Sequence, residues 1–510
     1  MNYSMYLLLA LATLPDAPTG RAADAGPDTP PLDDILANAL HALRQLVADF
    51  RRQPVSPPAA HAFEQRLQET LRGVGRTVAQ WTYNHLEPAD VRALPAHVRF
   101  EAGPYTRLGA KTPQSAWTLF GPIRLWRVGY RPSDRSGDPT IFPLALGLGL
   151  VQGASPALAD RVGRLMAEAG MTQQRALARL RQDYGVAWGV KKLRQLTAAV
   201  SAAVAGQRQQ AQVEQLLGWL GEASAGTGPH KPVLSAGRDG INLGVRVRGG
   251  RLFEVATTGT LSVLDRRGRR LGTVYLAYAP ESGQGTMSRA LTRLLAAVLS
   301  RWEGPLPRLC YVTDAGDNET TYYERVLHRF RHPRTGEALE WVRVVDYYHA
   351  SERVWAMGEL LFGKGQRSAA WVRKMQRWLL KPGGANRVLH SAAALREQYG
   401  LRGKKRAAFQ RAYRYLRDRM AYLRYAEYRR WGVPLGSGVT EAGCKTVYAQ
   451  RLKLSGMSWG KAGAQAILDL RVVVLSGVWD AAYARVLAGF EQPRVRGHRA
   501  PRQKRAGKAE

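Results

Sequence analysis

Apolar residues recur at helical spacing near the start of the chain. Between residues 32 and 46 they fall three or four positions apart, at Leu32, Ile35, Leu36, Leu40, Leu43 and Leu46. After a proline-containing break at residues 54–58 the same spacing returns, at Phe63, Leu67, Leu71 and Val74. Two structural helices are therefore predicted. Residues 1–31, which begin with a short apolar run at 6–14 and then become rich in Pro, Asp, Gly and Ala, are predicted to form an unstructured leader.

A different pattern follows around Gly121 and Pro122. Large apolar residues flank this turn on both sides, at Trp117, Leu119, Ile123, Leu125, Trp126 and Val128, which predicts a β-hairpin. Residues 172–197 then predict a helix, a turn at Gly185 and a second helix. This pair carries Arg175, Arg179, Arg181, Lys191, Lys192 and Arg194. It is either a helix-turn-helix that binds DNA through Lys191, Lys192 and Arg194, or a basic pair of packing helices, and the spacing does not decide between them.

From residue 233 the pattern is that of a mixed α/β domain. Short apolar runs bounded by turn residues predict strands at 252–255, 261–264, 273–278, 309–312 and 341–345, with a helix at 288–302. Residues 349–434 are helical in pattern and rich in Arg, Lys, Trp and Tyr. Within them, residues 411–430 carry an apolar stripe among basic residues, which is typical either of a face that contacts DNA or of an ordinary solvated face.

These patterns divide the chain into an α/β core and a mainly helical N-terminal part. The predicted segments are a leader (1–31), a helical region with a hairpin (32–150), a second helical region (151–220), a linker (221–232), the first part of the core (233–349), a helical segment (350–433), the second part of the core (434–490) and a basic tail (491–510). The tail is predicted to be disordered and to add non-specific affinity for DNA.

Charge narrows the class of partner. The chain has 75 Lys and Arg residues against 40 Asp and Glu, a formal net charge of +35 that is spread along its whole length. Such an excess favours a polyanionic partner, above all nucleic acid; the alternative is a generally basic proteome from GC-rich coding. Only two cysteines are present, which excludes a disulfide framework or a cysteine-based zinc site within one chain. No apolar run approaches the roughly 20 residues of a membrane-spanning helix, so a cytoplasmic, nucleoid-associated protein is expected.

Three acidic residues stand where a metal-dependent phosphoryl-transfer site would place them. Asp239 precedes an apolar run, Asp314 ends the run at 309–312, and Glu441 follows the Gly436-Ser437-Gly438 turn into a helix. Each has an ordinary explanation: an Asp-Gly turn, a strand-end loop and a solvated helix face. Together they predict a carboxylate site for two divalent cations.

Four further residues accompany this predicted triad. Asp317 competes with Asp314 as the second metal ligand. Asp346 and His349 form an Asp-x-x-His step at the end of the last predicted strand, and His349 is either functional or a helix-cap histidine. Lys445 lies one helical turn beyond Glu441, on the same face, and is suited to hold a phosphate there.

The sequence from about residue 154 to 479 resembles the ISKra-type insertion-sequence transposases of bacteria, relatives of the Mutator-like group. The most specific match is the block around Glu441, which contains Gly436-Ser437-Gly438, Lys445, Arg451, Gly456-Met457, Trp459 and Leu470-Arg471. Residues 344–350 are similar to the family's strand-borne Asp-x-x-His, and Asp239 and Asp314 fall where its two catalytic aspartates would be.

The resemblance implies a DDE transposase with an RNase H-like core, interrupted by an all-helical insertion. It implies Asp239, Asp314 and Glu441 as ligands of two Mg²⁺ or Mn²⁺ ions, cleavage at transposon ends, and attack of the freed 3′-OH on target DNA. Lys445, Arg451 and Lys453 would contact DNA, and the protein would act on double-stranded DNA as a homo-oligomer.

Two departures and several alternatives stay open. Residues 104–143 lack the cysteine-rich motif that many members carry, and the second Asp is followed by Ala-Gly-Asp. The alternatives are a domesticated, catalytically inactive DNA-binding protein, a metal-dependent nuclease with the same core that cuts without rejoining, and, more remotely, a glycosidase with paired carboxylates, which the basic charge disfavours.

Overall fold

The computed structural model describes residues 30–489, apart from 102, 135, 136 and 249, together with 496 and 497. The predicted leader and basic tail lie almost entirely outside these residues. The chain divides into two compact units. The first unit comprises the described residues of Met1–Met166, Thr172–Val200 and Ala484–Glu510, and the second unit comprises those of Ala167–Met171 and Ser201–Tyr483.

The first unit combines helices with a small antiparallel sheet. Its helices are α1 (Leu32–Arg51), α2 (Pro57–Asn84), α3 (Pro143–Gly147), α4 (Pro156–Ala167) and α5 (Gln173–Tyr184). Its strands, in the sheet order β3-β2-β1-β9, are β1 (His97–Phe100), β2 (Gly103–Thr118), β3 (Gly121–Pro132) and β9 (Arg496–Gly497). The predicted hairpin is confirmed, because β2 and β3 pair from Thr118↔Gly121 onward. Its two-residue turn is Leu119-Phe120, and Gly121 follows it with φ of +112°.

Polar side chains from α2 and the turn after it cover the free edge of β3. Gln80, Asn84 and Glu87 accept hydrogen bonds from the backbone N–H groups of residues 124, 126 and 128, at 2.7, 2.8 and 2.8 Å. Their spacing of four and three residues follows one helical face, whereas alternate N–H groups of a strand point to the same edge. An edge strand that would otherwise expose unpaired donors is closed in this way.

Glu87 makes the first unit sensitive to pH. Burial raises the pKa of Glu87 to about 7, although the Val128 N–H, Lys111 and Arg127 lower it. Between an unfolded pKa near 4.5 and a folded value near 7, the folded form holds a proton that the unfolded form has lost, so this group's contribution to stability falls as pH rises through that window.

Glu87→Gln is therefore expected to stabilise the protein at pH 8 by about 1–3 kcal/mol and to leave it nearly unchanged at pH 4.5. The amide oxygen can still accept from Val128, and no charge has to be buried. Thermal unfolding at the two pH values measures the difference. Glu64→Gln, at an exposed position of α2, is the matched control, and an equal effect of both variants would contradict the assignment.

The predicted helix, turn and helix are present. Thr172 caps α5 by accepting from the Arg175 N–H, and Gly185 ends it in the left-handed region with φ of +65°. The second helix, α6 (Val190–Ala225), is much longer than predicted and continues into the second unit. The predicted linker was therefore wrong over residues 221–225. Leu216, Leu220 and Ala223 pack into the core of the second unit and keep this stretch helical.

The second unit is a mixed α/β domain around a five-stranded sheet. Its strands, in the sheet order β6-β5-β4-β7-β8, are β4 (Val233–Val247), β5 (Gly250–Leu264), β6 (Arg270–Tyr278), β7 (Arg308–Thr313) and β8 (Trp341–Val345). The pairs β4–β5 and β5–β6 are antiparallel, whereas β4–β7 and β7–β8 are parallel. The runs predicted at 252–255 and 261–264 belong to one strand. Asp239-Gly240 lies inside β4 and is not a turn.

Both faces of this sheet are buried. Along β7, Leu309 and Tyr311 pack on one face against helix α7 (Gly285–Arg301), while Cys310 and Val312 pack on the other. Helix α8 (Asp317–Arg325) lies between β7 and β8 in the chain. The predicted helix at 288–302 corresponds to α7.

The region after β8 is helical, as predicted for 350–433. It contains α9 (Tyr347–Phe362), α10 (Gln366–Leu379), α11 (Gly384–Gln398), α12 (Gly403–Asp418) and α13 (Tyr425–Arg430). Tyrosines fasten α13 to β8, because the hydroxyls of Tyr425 and Tyr428 donate to the carbonyls of Val345 and Arg343, both at 2.9 Å. The chain then returns to the sheet through α14 (Gly438–Gly443), a π-helical turn (Cys444–Ala449) and α15 (Gln450–Leu452), followed by α16 (Lys461–Leu475) and α17 (Trp479–Ala488).

Among the described residues, no single helix combines the length and apolar character needed to cross a bilayer. One sharply bent pair, Lys461–Leu475 with Trp479–Ala488, is long and apolar enough only when its two helices are taken together.

Candidate active site

Asp239 and Asp314 belong to neighbouring parallel strands. The register of β4 and β7 ends at Gly237↔Val312, and Asp239 and Asp314 each follow two residues later. Parallel strands place equivalent residues on the same face, so both carboxylates project from one face of the sheet at the carboxyl end of β7. Arg238 points to the opposite face, where it donates to Gln284 and Ser288. Both aspartates are half-buried.

The pKa of Asp239 is affected by the charges of the other two members of the predicted triad. Burial raises the pKa of Asp239, hydrogen bonds from Cys444 and Gly240 lower it, and the charges of Asp314 and Glu441 raise it again. The Gly240 N–H donates to Asp239 Oδ1 at 2.7 Å. The net pKa is above its ordinary value, mainly because the carboxylate is buried, with smaller contributions from the charges of Asp314 and Glu441.

Hydrogen bonds from the helical region fix the loop after Asp314. Ala315 has φ of +61°, an unusual value for a residue with a Cβ. The Tyr415 hydroxyl of α12 donates to the Asp314 carbonyl at 2.6 Å, and Arg419 donates to the Ala315 carbonyl at 2.9 Å. The Gly316 N–H donates to Asp314 Oδ1 at 3.1 Å. These bonds fix both the loop and the orientation of the Asp314 carboxylate.

A close helix-to-sheet contact brings Glu441 to the same face. The hydroxyls of Thr440 and Thr260 lie 2.7 Å apart. Gly237 permits this approach, because a Cβ there would lie 2.2 Å from Thr440 Oγ1. The Cys444 thiol, one turn beyond Glu441, is near both the Asp239 carboxylate and the Thr258 hydroxyl. The π-helical turn at Cys444–Ala449 begins at this contact, and such turns are frequent at functional sites.

Asp346 links the end of β8 to the loop that carries Glu441. The carboxylate is completely buried. Its Oδ1 accepts from the N–H groups of Tyr348, at 2.6 Å, and His349, at 3.1 Å, and so caps α9. Its Oδ2 accepts from the backbone N–H and the hydroxyl of Ser437, the latter at 2.6 Å. Four donors thus bind this carboxylate, so Asp346 acts as a clamp between the start of α9 and the Ser437 loop.

His349 completes the connection to Glu441. Its Nε2 lies 3.4 Å from Glu441 Oε1 and its Nδ1 lies 3.2 Å from Glu352 Oε2. Burial lowers the pKa of His349, but Asp346, Glu352 and Glu441 outweigh that effect and raise it above its ordinary value. The Ser437 hydroxyl oxygen also lies 2.9 Å from Glu441 Oε1. The Asp-x-x-His step therefore positions the third predicted acid.

Glu319 is a fourth acid of the site that the sequence pattern did not reveal. Asp317, predicted as an alternative ligand, lies exposed at the start of α8, whereas Glu319 is buried. A Cβ on Gly316 would meet Glu319 Oε2 at 2.5 Å and Asp314 Oδ1 at 3.6 Å, so these two oxygens are close neighbours. Burial raises the pKa of Glu319, and Asp314 and Asp239 raise it further against the effect of Arg238. Its helical spacing with the buried Tyr322 and Tyr323 was the available signal.

The predicted DNA contacts fall into two groups. Lys445, Lys453, Lys191 and Arg194 are exposed. Lys192 is half-buried, with its ammonium 4.9 Å from the centre of the Trp117 ring. Arg451 is buried, with its guanidinium 5.3 Å from the centre of the Trp459 ring. Burial, followed by repulsion from Arg471, lowers the pKa of Arg451 to about 10. Arg451 is therefore not at the surface of this structure, and its contact with DNA stays a prediction.

No protein-family model matches the sequence, and a search of curated proteins finds no match. The arrangement of the side chains consequently decides which chemistry the site can support.

The acids do not form a closed metal cage. Among the residues that the structure describes, no three His, Cys, Asp or Glu side chains are close enough to surround one ion. Asp239 and Asp314 are adjacent on the sheet, whereas Glu441 is engaged by His349 and Ser437. The donor chemistry still fits a hard divalent cation, which prefers carboxylate oxygens and would neutralise the charges of the half-buried Asp239 and Asp314.

Proposed function

We propose that the protein is a DDE-type DNA transposase that cleaves and joins the ends of an insertion sequence. The observation that carries this proposal is that Asp239 of the central strand and Asp314, which follows its parallel neighbour, lie on one face of the sheet, and that the helix bearing Glu441 packs on the same face over Gly237.

The sheet supports an RNase H-like assignment for the second unit. Counted from β4 as the first strand, the order is 3-2-1-4-5, with the first three strands antiparallel and the last two parallel to the first. The helical region between β8 and the Glu441 helix then corresponds to an insertion within that core. Asp239 would occupy the central strand and Asp314 the end of the fourth, as the resemblance to ISKra-type transposases implies.

The side chains suggest a division of labour. Asp239 and Asp314 would hold the first of two Mg²⁺ or Mn²⁺ ions, and Glu441 would complete the set after leaving His349. When bound, such ions activate the attacking oxygen and stabilise the leaving oxygen of a phosphodiester. Asp346 and Ser437 fix the backbone that presents Glu441. Lys445 is exposed one turn beyond it and is suited to hold a neighbouring phosphate.

The reaction would proceed in two chemically similar steps. Water attacks a phosphodiester at the transposon end and releases a 3′-OH. That 3′-OH then attacks a target phosphodiester, and the displaced 3′ oxygen of the target leaves. A net charge of +35 favours binding of both duplexes. Joining two ends requires two active sites, so a homo-oligomer on DNA, associated with the nucleoid in the cytoplasm, is part of the proposal.

The second candidate is a DNA-binding derivative that has lost catalysis. The engagement of Glu441 by His349 and Ser437 favours it, because the third acid is not free to join the other two. A derivative that lost catalysis through loss of the metal site would bind no divalent ion between Asp239 and Asp314, whereas the transposase would.

A thermal-shift measurement separates them. Mn²⁺ at millimolar concentration is expected to raise the midpoint of wild-type unfolding by several degrees, because an ion that binds only the folded state stabilises it. Asp239→Asn is expected to be more stable than wild type in the absence of ions, since it removes a carboxylate with a raised pKa, and to lose most of the Mn²⁺ response. The exposed Asp317→Asn is the matched control. An undiminished response in Asp239→Asn would exclude a metal site at this position.

A further inference from the structure

The strands β4 and β5 continue well beyond the active site as a two-stranded arm. Their pairing runs from Val233↔Leu264 to Val247↔Gly250, whereas β7 accompanies β4 only as far as Gly237, and β6 accompanies β5 only from Thr257 onward. Residues 241–248 and 250–256, here called the hairpin arm, therefore lie beside no third strand of this sheet. An isolated two-stranded hairpin is marginally stable in water, so an arm of this length needs support or a partner.

One edge of the arm is supported by the segment after the Glu441 helix. The Arg246 N–H donates to the Trp459 carbonyl at 2.7 Å, and the Arg246 side chain lies 3.3 Å from Ser458 Oγ. Lys461 pairs with Glu254 at 2.8 Å. These contacts fix the direction of the arm relative to the active site, because the same strand carries Asp239.

The end of the arm is both apolar and exposed. The exposed fractions of Leu252, Phe253 and Val255 are 45%, 66% and 42%. Large apolar side chains with this exposure on three of four consecutive positions are unusual outside binding surfaces.

The charge of the arm is strongly positive. Arg246, Arg248 and Arg251 are exposed, and Arg246 lies directly opposite Arg251 in the ladder. Like charges in this position destabilise a hairpin. The arm's acid, Glu254, is already paired with Lys461. Gly244 leaves room for the Arg251 guanidinium, since a Cβ there would lie 2.2 Å from Arg251 Nε, and this guanidinium stacks 5.1 Å from the centre of the Phe253 ring.

We propose that the hairpin arm binds the DNA duplex beside the cleaved phosphodiester. This inference rests on the proposed function of the Asp239 site. Phosphates would relieve the repulsion between Arg246 and Arg251, and a two-stranded ribbon has the dimensions to enter the major groove. Arg246 lies seven residues beyond Asp239 on an unbroken strand, which corresponds to about 24 Å. At about 3.4 Å per base pair, the arm reaches roughly seven base pairs from the scissile phosphate.

The first experiment measures the salt dependence of binding to a duplex that carries the element's end. The triple variant Arg246→Gln, Arg248→Gln, Arg251→Gln is compared with a control that removes the same charge elsewhere in the second unit, Arg325→Gln, Arg329→Gln, Arg331→Gln, at exposed positions. The arm variant is expected to bind about 10- to 100-fold more weakly at 0.1 M salt and to reduce the slope of log K against log salt by about 2 to 3. The control is expected to stay within about 3-fold of wild type.

Crosslinking locates the contact. Both native cysteines are buried, so Arg248→Cys provides a uniquely accessible thiol for a photoreactive probe. Crosslinks to bases about five to nine pairs from the cleavage site are expected on the rise per base pair given above. Crosslinks only to a second copy of the protein would overturn the proposal and identify the arm as an oligomer contact.

The outcomes also separate this inference from the proposed function. If wild type binds the duplex and the arm variant binds no more weakly than the control, the arm does not contact DNA, while the transposase assignment stands. If wild type shows no affinity for DNA, both fail.

Discussion

Asp314→Asn protein is expected to lose DNA strand cleavage by at least about 1000-fold while binding DNA with wild-type affinity. Asparagine preserves the shape of the side chain and an acceptor for the Gly316 N–H, but it removes the charge that a divalent ion would neutralise. Loss of one charged group that acts on the transferred phosphoryl group corresponds to about 4 kcal/mol of transition-state stabilisation. Cleavage rates on end-bearing DNA, with binding measured separately in Ca²⁺, test this expectation.

Asp317→Asn is the matched control for this variant. The residue is three positions further along, carries the same functional group and lies exposed at the start of α8. Its cleavage rate is expected to stay within about 3-fold of wild type, since surface changes have small effects. The reverse pattern, with Asp317→Asn inactive and Asp314→Asn active, would identify Asp317 as the second metal ligand.

Asp346→Ala is expected to destabilise the protein by about 3–5 kcal/mol. The substitution leaves the N–H groups of Tyr348, His349 and Ser437 without their acceptor, while the Ser437 hydroxyl keeps Glu441 as a partner. A lost helix cap costs about 1 kcal/mol, and each unsatisfied buried donor adds about 1–3 kcal/mol before relaxation. Urea unfolding measures the change.

The control for Asp346→Ala is Asp418→Ala, which removes a carboxylate from the exposed pair with Arg417 and is expected to change stability by less than about 1 kcal/mol. Asp346 also fixes the loop leading to Glu441. The folded fraction of Asp346→Ala is therefore expected to bind DNA with wild-type affinity but to cleave it more slowly than wild type does. Wild-type stability in Asp346→Ala would show that the clamp is not required for folding.

Much of the second unit follows from local sequence. Strands β6, β7 and β8 were predicted because each is a short apolar run between turn residues, and Trp341–Val345 was predicted to the residue. The placement of Asp314 directly after such a run also followed, because the end of a buried strand is visible in the alternation of apolar and polar residues.

Asp239 shows where local patterns fail. Asp-Gly is typical of turns, yet here it lies in the middle of a 15-residue strand that pairs with the following strand, β5, on one side and with the distant strand β7 on the other. The cross-strand ladder overrides the local preference. The burial of Arg451 could not be predicted from local sequence either, because it depends on packing against Trp459 in a later loop.

The contact between His349 and Glu441 could not be predicted from the sequence either. The four helices α10 to α13 separate the two residues in the chain, and the contact exists because α13 packs on β8 and the Ser437 loop binds Asp346. Likewise, Glu319 was not singled out, because its closeness to Asp314 depends on the backbone turn through Ala315 and Gly316.

The most direct test of the central claim is strand cleavage and joining on DNA that carries the element's own ends, in Mg²⁺ or Mn²⁺. Wild-type protein is expected to release a 3′-OH at the ends and join it to target DNA, and Asp239→Asn and Glu441→Gln are expected to bind the same DNA without cutting it. Wild-type protein that binds these ends in either ion and never cuts them would contradict the transposase assignment and favour the binding-only derivative.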